Sequence, residues 1–374
     1  NFKIYLIPFC LFGLLLMNSC KREGCTDPKA INYDKKAKKD DGSCIFQNTT
    51  DGSTDEENTD DGSDSSSLCE QPDIECLVAT KIVENTDFKG RTGHGCVVFN
   101  NKIYIIGGVN VVNSTAYNLN DVWSSSDGQN WTEEVSEAPF PKRAYHAVLV
   151  HDNKLWVIGG RTNGYDLLND VWYSSDGVNW VEATSNAPFS KRQFHQAISF
   201  QNDIYLTGGG VVLDDGDVWK SSDGITWTLI TETAAIGGRT HHRLDVYDNK
   251  IWLFSGSLDG YQKRDVWYSG DAINWTEVNV EEPFTNRMDA SSFIYNNKFF
   301  TLGGVFGNAQ SDEIRNDFWL SSDSGVNWSQ YAAPQEDFLD RKYYRAVPLN
   351  GYIYIIGGRV NDVDSEDIWK IEIP

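Results

Sequence analysis

From Arg91 to the C-terminus, apolar and polar residues alternate in short runs that close on glycine pairs, and one pattern returns about every 50 residues. In the copy that starts at Arg143, an Arg-x-x-His opening leads into an alternating run that ends in Gly159-Gly160. A variable stretch follows, then Asp170-Val171-Trp172, a Ser-Ser-Asp-Gly turn and a last run opening on Trp180. Period-2 alternation bounded by Gly, Asn and Asp predicts half-buried strands joined by tight turns, four to a copy.

Six copies begin at Arg91, Arg143, Arg192, Arg239, Arg287 and Arg341. Their apolar runs end in Gly107-Gly108, Gly159-Gly160, Gly208-Gly209, Ser255-Gly256, Gly303-Gly304 and Gly357-Gly358. The third strands carry Trp123, Trp172, Trp219, Trp267, Trp319 and Trp369. These residues resemble the kelch motif, a double glycine after an apolar strand followed by a Trp on the next strand. The resemblance implies an all-β protein, a six-bladed kelch-type β-propeller of four-stranded blades. It assigns the glycines to close backbone approach, the Trp residues to inter-blade core and the repeat Arg residues to bracing the turns between blades. The sixth copy ends after its third strand at Ile371-Glu372-Ile373-Pro374, so residues 77–84 are expected to supply the missing fourth strand. Ser321-Ser322-Asp323-Ser324-Gly325-Val326-Asn327-Trp328 also resembles the Asp-box of sialidases and related propellers. That hairpin is peripheral in the families that carry it, and by itself implies no sialidase activity.

Four segments follow from the pattern: 1–19, 20–46, 47–75 and the propeller, 76–374. The run from Ile4 to Met17 is too short and too broken by Pro8 to span a membrane, and suits the core of a secretory signal. It leads into Leu16-Met17-Asn18-Ser19-Cys20, which resembles a bacterial lipoprotein signal of the looser Bacteroidetes type. Cys20 is then expected to be acylated, anchoring the chain to the outer membrane through lipid alone, with the cell surface favoured over the periplasmic face. The module from Cys25 to Cys44 resembles one that recurs in secreted and surface proteins of Bacteroidetes. In an exported chain, Cys25 with Cys44 and Cys69 with Cys76 are expected to form disulfides. Asp34, Asp40 and Asp41 of the module can also supply oxygen ligands to calcium, though a solvated turn beside a staple is the plainer reading. Residues 47–75 are acidic and polar with scarcely an apolar side chain, and read as a disordered tether.

Charge narrows the partners. The formal net charge is −22 and the acidic excess continues through the repeats, which excludes a partner recognised through phosphate neutralisation, nucleic acid above all. No cofactor is expected, and the chain is expected to act as a monomer. His94, His146, His195 and His242 follow the repeat Arg at the same distance, so they read as scaffold rather than a metal site. Cys96, in an apolar strand, reads as a buried inert thiol and speaks against the Cys–Tyr chemistry of a radical copper oxidase.

Function is expected where the copies differ. The position two after the repeat Arg reads Gly93, Tyr145, Phe194, His241, Asp289 and Tyr343. The position after the double glycine carries Arg161 and Arg359, with Asn163 and Asn361 two residues further on. By resemblance to ligand-binding kelch propellers, these residues point to the central mouth. The stretches 109–120 and 305–316, with Tyr117, Phe306 and Arg315, read as long loops walling it. Arg with aromatics suits an acidic peptide or a carboxylated sugar. The expected function is a binding module for a protein or glycan partner, with no residue assigned to catalysis. The alternative is an enzyme resembling kelch-type sialic acid mutarotases, in which Asp289 and His241 would serve as acid and base. A sialidase would need three Arg, a Tyr–Glu pair and an Asp at non-repeating positions, and no such set assembles.

Overall fold

Each alternating run becomes one strand of a four-stranded antiparallel sheet, and six such sheets form a six-bladed β-propeller. A computed structural model describes residues 77–210, 216–280, 284–308, 311–331 and 341–373. The chain divides into the units Asn1–Ser63 and Asp64–Pro374. The segments 1–19, 20–46 and 47–75, with Cys20, Cys25, Cys44 and Cys69, and Cys76 as well, lie outside the described residues.

Blade 1 runs through Gly95–Phe99, Lys102–Val112, Thr115–Ser125 and Thr132–Val135, paired in chain order. Blades 2 to 5 repeat this order, with inner strands Ala147–His151, Gln196–Phe200, Arg243–Tyr247 and Ser291–Tyr295, and blade 4 adds the short strand Arg239–Thr240 against Lys250–Leu258. Blade 6 takes Arg345–Leu349, Tyr352–Ile356 and Ile368–Glu372 from the end of the chain, and Ala79–Val83 pairs antiparallel with Ile368–Glu372 as its outer strand. The inner hairpins turn on two residues with positive φ, such as Asn100-Asn101 and Asp248-Asn249. That geometry suits Asn and Asp and matches the twist of the flanking strands. The stretches 109–120 and 305–316 are largely not loops. The first extends blade 1 as a long hairpin turning at Asn113-Ser114, and the second forms the two-stranded ribbon Val305–Asn308 with Ser311–Ile314.

The core lies between neighbouring sheets. Tyr104, Ile106 and Val122 of blade 1 pack with Leu155, Val157 and Trp180 of blade 2, and Phe140 meets Trp180 edge-on at 5.2 Å. Polar stitching runs through the same interfaces. The backbone of Arg143 pairs with blade 1, where Gly108 N donates to Arg143 O and Arg143 N donates to Leu119 O. Its side chain crosses to blade 2, donating to Gly159 O at 2.8 Å and to both carboxylate oxygens of Asp170 at 2.8 and 2.6 Å. Trp172 Nε1 donates to Asp170 as well, because residues i and i+2 of a strand share a face. The pairs Arg91–Asp121, Arg192–Asp217, Arg239–Asp265, Arg287–Asp317 and Arg341–Asp367 repeat the arrangement, each Asp also holding its blade's Trp indole. All six guanidinium groups are buried.

The glycine pair makes room for this stitch. Its second member has φ between 86° and 106°, and at Gly108 a Cβ would lie 2.8 Å from His94 Cβ and 2.9 Å from Thr92 O. Its first member has φ between 53° and 72°, a left-handed conformation that L residues reach at modest cost. That difference explains why blade 4 carries Ser255 at the first position and still Gly256 at the second.

His94, His146, His195 and His242 are buried beside these glycines. His195 Nε2 lies 3.1 Å from Ile158 O of the preceding blade. Burial, with nearby Arg charges, pushes all four imidazoles below their ordinary range, His195 to about 3. Among the described residues, no group of three His, Cys, Asp or Glu is placed to hold a metal.

Two outcomes follow for stability. Asp170→Ala leaves Arg143 buried and unpaired, and should cost about 3–5 kcal/mol in a denaturant titration. A loss below about 1 kcal/mol would contradict the stitch. The histidines fix the pH response: their native pKa lies below the unfolded value, so the stability they confer is complete above about pH 6.5 and erodes as pH falls. Each contributes a slope of about 1.4 kcal/mol per pH unit until its native pKa is reached. Asp245, raised to about 6 by burial, and Asp364, raised by burial as well, act in the opposite sense, but two groups oppose four. Tm should therefore fall steadily from about pH 6.5 to 4, and a Tm that stays flat from pH 7 to 5 would refute the assignment.

Candidate functional site

The position two after the repeat Arg precedes each inner strand, and its six residues form a ring about the propeller axis. Gly93, Tyr145, Phe194, His241, Asp289 and Tyr343 all have φ between 54° and 62°. Backbone hydrogen bonds pass from blade to blade: Tyr145 N donates to Gly93 O, Phe194 N to Tyr145 O, His241 N to Phe194 O and Asp289 N to His241 O, at 2.8 to 3.2 Å. The side chains follow the same path. Gly93 leaves the space that Tyr145 fills, since a Cβ there would lie 2.7 Å from the tyrosine ring. Tyr145 meets Phe194 at 4.4 Å, Phe194 stacks on His241 at 3.8 Å, and His241 Nε2 lies 3.5 Å from Asp289 Oδ2. Five of the ring's six members are therefore in serial contact. Burial holds the Tyr145 hydroxyl above its ordinary pKa, with Arg161 opposing.

Arg161 stands beside this ring on a rigid base. It ends the strand Lys154–Arg161, and its backbone pairs with Ala144 in both directions. Its guanidinium lies over Tyr145 at 4.8 Å and over Tyr165 at 4.6 Å, a double cation–π contact. Among the described residues no carboxylate pairs with it, unlike every repeat Arg. Tyr165 is 70% exposed, so the sandwich faces solvent on one side.

The matching residues of blade 6 are otherwise engaged. Arg359 donates through Nε and NH2 to Asp364 Oδ1 at 2.9 and 2.7 Å, and Asp364 Oδ2 accepts Val111 N of blade 1. Arg359 is thus part of a brace between blades 6 and 1. Asn163 Oδ1 accepts Asn118 N at 2.5 Å, tying the long hairpin of blade 1 to blade 2. Asn361 is an exposed turn residue with φ 49° in the small ribbon that pairs Arg359 with Asp364. Arg315 lies over Phe306 at 5.0 Å and pairs with Glu313 at 2.6 Å, while Tyr117 is half exposed.

Beneath the ring, the six inner strands enclose a channel of about 460 Å³. Two further arginines line it, Arg243 and Arg345, at the position four after the repeat Arg. Gly95, Ala147, Gln196 and Ser291 hold that position in the other blades. Charge in a register of otherwise small or neutral residues was the sequence signal for this second group.

Comparisons with known proteins agree with the architecture. Residues 60–210 match the KLHDC2/KLHL20/DRC7 Kelch-repeats domain, and residues 247–373 match the DUF6242 beta propeller domain. The solved structure titled "Structure of YjhT" superposes with a TM-score of 0.61 at 16% identity, over 78% of this chain and 97% of that one, a likeness of fold alone. A 25-residue stretch is 64% identical to ribulose bisphosphate carboxylase/oxygenase activase 1, chloroplastic, of Larrea tridentata. It covers 7% of this chain and 5% of that protein, too little to carry an argument. Strand topology and family models meet on one statement: from Ala79 to the end of the described residues the chain is a six-bladed β-propeller, with a kelch-repeat match over residues 60–210.

Proposed function

We propose that the propeller is a binding module whose mouth recognises a carboxylate-bearing partner, an acidic peptide or a carboxylated glycan. The observation that carries this reading is Arg161, held between Tyr145 and Tyr165 with no carboxylate partner among the described residues. A guanidinium fixed by aromatic faces keeps its N–H fork pre-organised for a planar, bidentate acceptor. The ring supports the same reading. A left-handed φ favours glycine, as blade 1 has at Gly93, and each L residue there costs about 1–2 kcal/mol. Five blades nonetheless place Tyr, Phe, His, Asp and Tyr at this position, and such strain gathers at ligand clamps.

The cell address proposed from Leu16–Cys20 is a lipid anchor on the outer membrane, with residues 47–75 as the tether that lets the mouth reach its partner. The enzymatic alternative is weaker on geometry. An acid and a base acting on a sugar flank its anomeric centre, whereas His241 and Asp289 lie 3.5 Å apart with no room between them for a ring.

The test is a glycan array and an acidic-peptide panel probed with the purified full-length chain. Arg161→Ala should weaken binding at least about tenfold, the value of one lost charge-assisted pair. Arg359→Ala should instead lower Tm, because it opens the brace to Asp364. Binding that survives Arg161→Ala, or turnover of a sialic acid anomer by the chain, would overturn the reading.

A further inference from the structure

The channel beneath the mouth presents a separate electrostatic problem. Six buried arginines of the scaffold are each matched to a carboxylate, bidentate in every case. Arg243 and Arg345 are not. Arg243 Nε donates to Ala290 O at 3.2 Å and Arg345 NH1 to Tyr344 O at 3.2 Å, while Arg243 NH2 is buried with no partner. Burial and each other's charge lower the pKa of Arg243 to about 9, and burial lowers that of Arg345 too. The acid that acts on both is Asp289, which already faces His241 in the ring. Asp245 also lines the channel, but it accepts Ile294 N and Val246 N and its own burial favours the neutral acid. His94 lines the same space with both ring nitrogens unpartnered, His146 faces the Ile106 carbonyl, and burial keeps both neutral. The remaining titratable group is the Cys96 thiol, pushed up to about 12 and so uncharged.

A low-dielectric cavity that holds two guanidinium groups, neither paired bidentately with a carboxylate, is costly unless an anion enters. We infer that the central channel is a binding site for a small carboxylate anion, held between Arg243 and Arg345. The cavity suits such a ligand in shape and chemistry. Gln196 supplies a neutral polar group, the Ser291 and Ser292 hydroxyls are already bonded to Tyr344 O and Thr301, and Leu244, Val148 and Val97 supply apolar wall for a short hydrocarbon end. Gly95, Ala147 and Ser291 occupy the same register in neighbouring blades, and their small side chains leave the two long ones room to converge. Two planar forks fit a planar carboxylate better than a spherical halide. The site is distinct from Arg161, which belongs to the mouth and not to the channel lining.

The experiment measures Tm of the full-length chain against sodium acetate and sodium chloride at constant ionic strength. A ligand that binds only the native state raises Tm in a saturable way. Acetate should do so, and Arg243→Met or Arg345→Met should weaken its apparent affinity at least about tenfold. Replacing one of two like charges with an apolar side chain should not unfold the protein, since such exchanges are often neutral or stabilising. Arg161→Ala separates this site from the mouth: it should leave the acetate response unchanged even where it abolishes partner binding. An equal response to chloride, a response that survives both Met substitutions, or one lost with Arg161→Ala would each overturn the channel site.

Discussion

The fold depends on one buried contact made six times: an arginine whose backbone belongs to one blade and whose side chain belongs to the next. Apolar packing between twisted sheets holds blades together but permits sliding, because hydrophobic contact has no direction. The bidentate Arg–Asp pair has direction. It fixes the height and rotation of each blade against its neighbour, and the Trp indole on the same carboxylate links that register to the inter-blade core. A buried pair of this kind adds little net stability over apolar groups of the same size. Its effect lies in excluding other registers, and closing six blades into a ring tolerates little accumulated error.

The scaffold therefore spends its repeated residues on itself, and that sharpens what is left over. Arg161 and Arg359 occupy the same phase, and each has an Asp five residues on. In blade 6 the pair closes on Asp364, and the arginine becomes another stitch. In blade 2 Asp166 is exposed, and Tyr165 takes the place over the guanidinium. One loop residue thus separates a structural arginine from a free one.

This contrast also marks how far the sequence could be read. Glycine pairs, Trp and Arg recur in phase because every blade meets the same steric and electrostatic demand, so six copies were legible from spacing, and the resemblance to the kelch motif made them blades. Asp170 and its equivalents stood in plain view in the Asp-x-Trp motif, yet their arginine partners lie 25 to 30 residues upstream and cross a blade boundary. No local period reports such a pair. Ring positions such as Phe194 and His241 were legible as departures from the repeat, but their serial contact required the propeller to close. The stretch 109–120, read as a long loop, is instead a long hairpin whose turn lies at Asn113-Ser114. Arg243 and Arg345 were missed because they sit in strands, where polar residues in an alternating run pass as solvent-facing.

The distribution of charge then carries its own implication. The chain is strongly acidic overall, yet arginines stand at its axis without a bidentate carboxylate, one at the mouth and two in the channel below, where Asp245 is the acid of the lining. An acidic exterior repels anions at distances beyond about 10 Å only weakly at physiological salt. Inside a narrow channel screening fails and the local guanidinium field dominates. On the proposed reading, such a molecule would resist unspecific association with polyanions while offering a strong, confined potential to one carboxylate that fits. Selectivity would then come from the depth and shape of the axis rather than from net charge, which is why a protein of this composition can still be built to bind an anion.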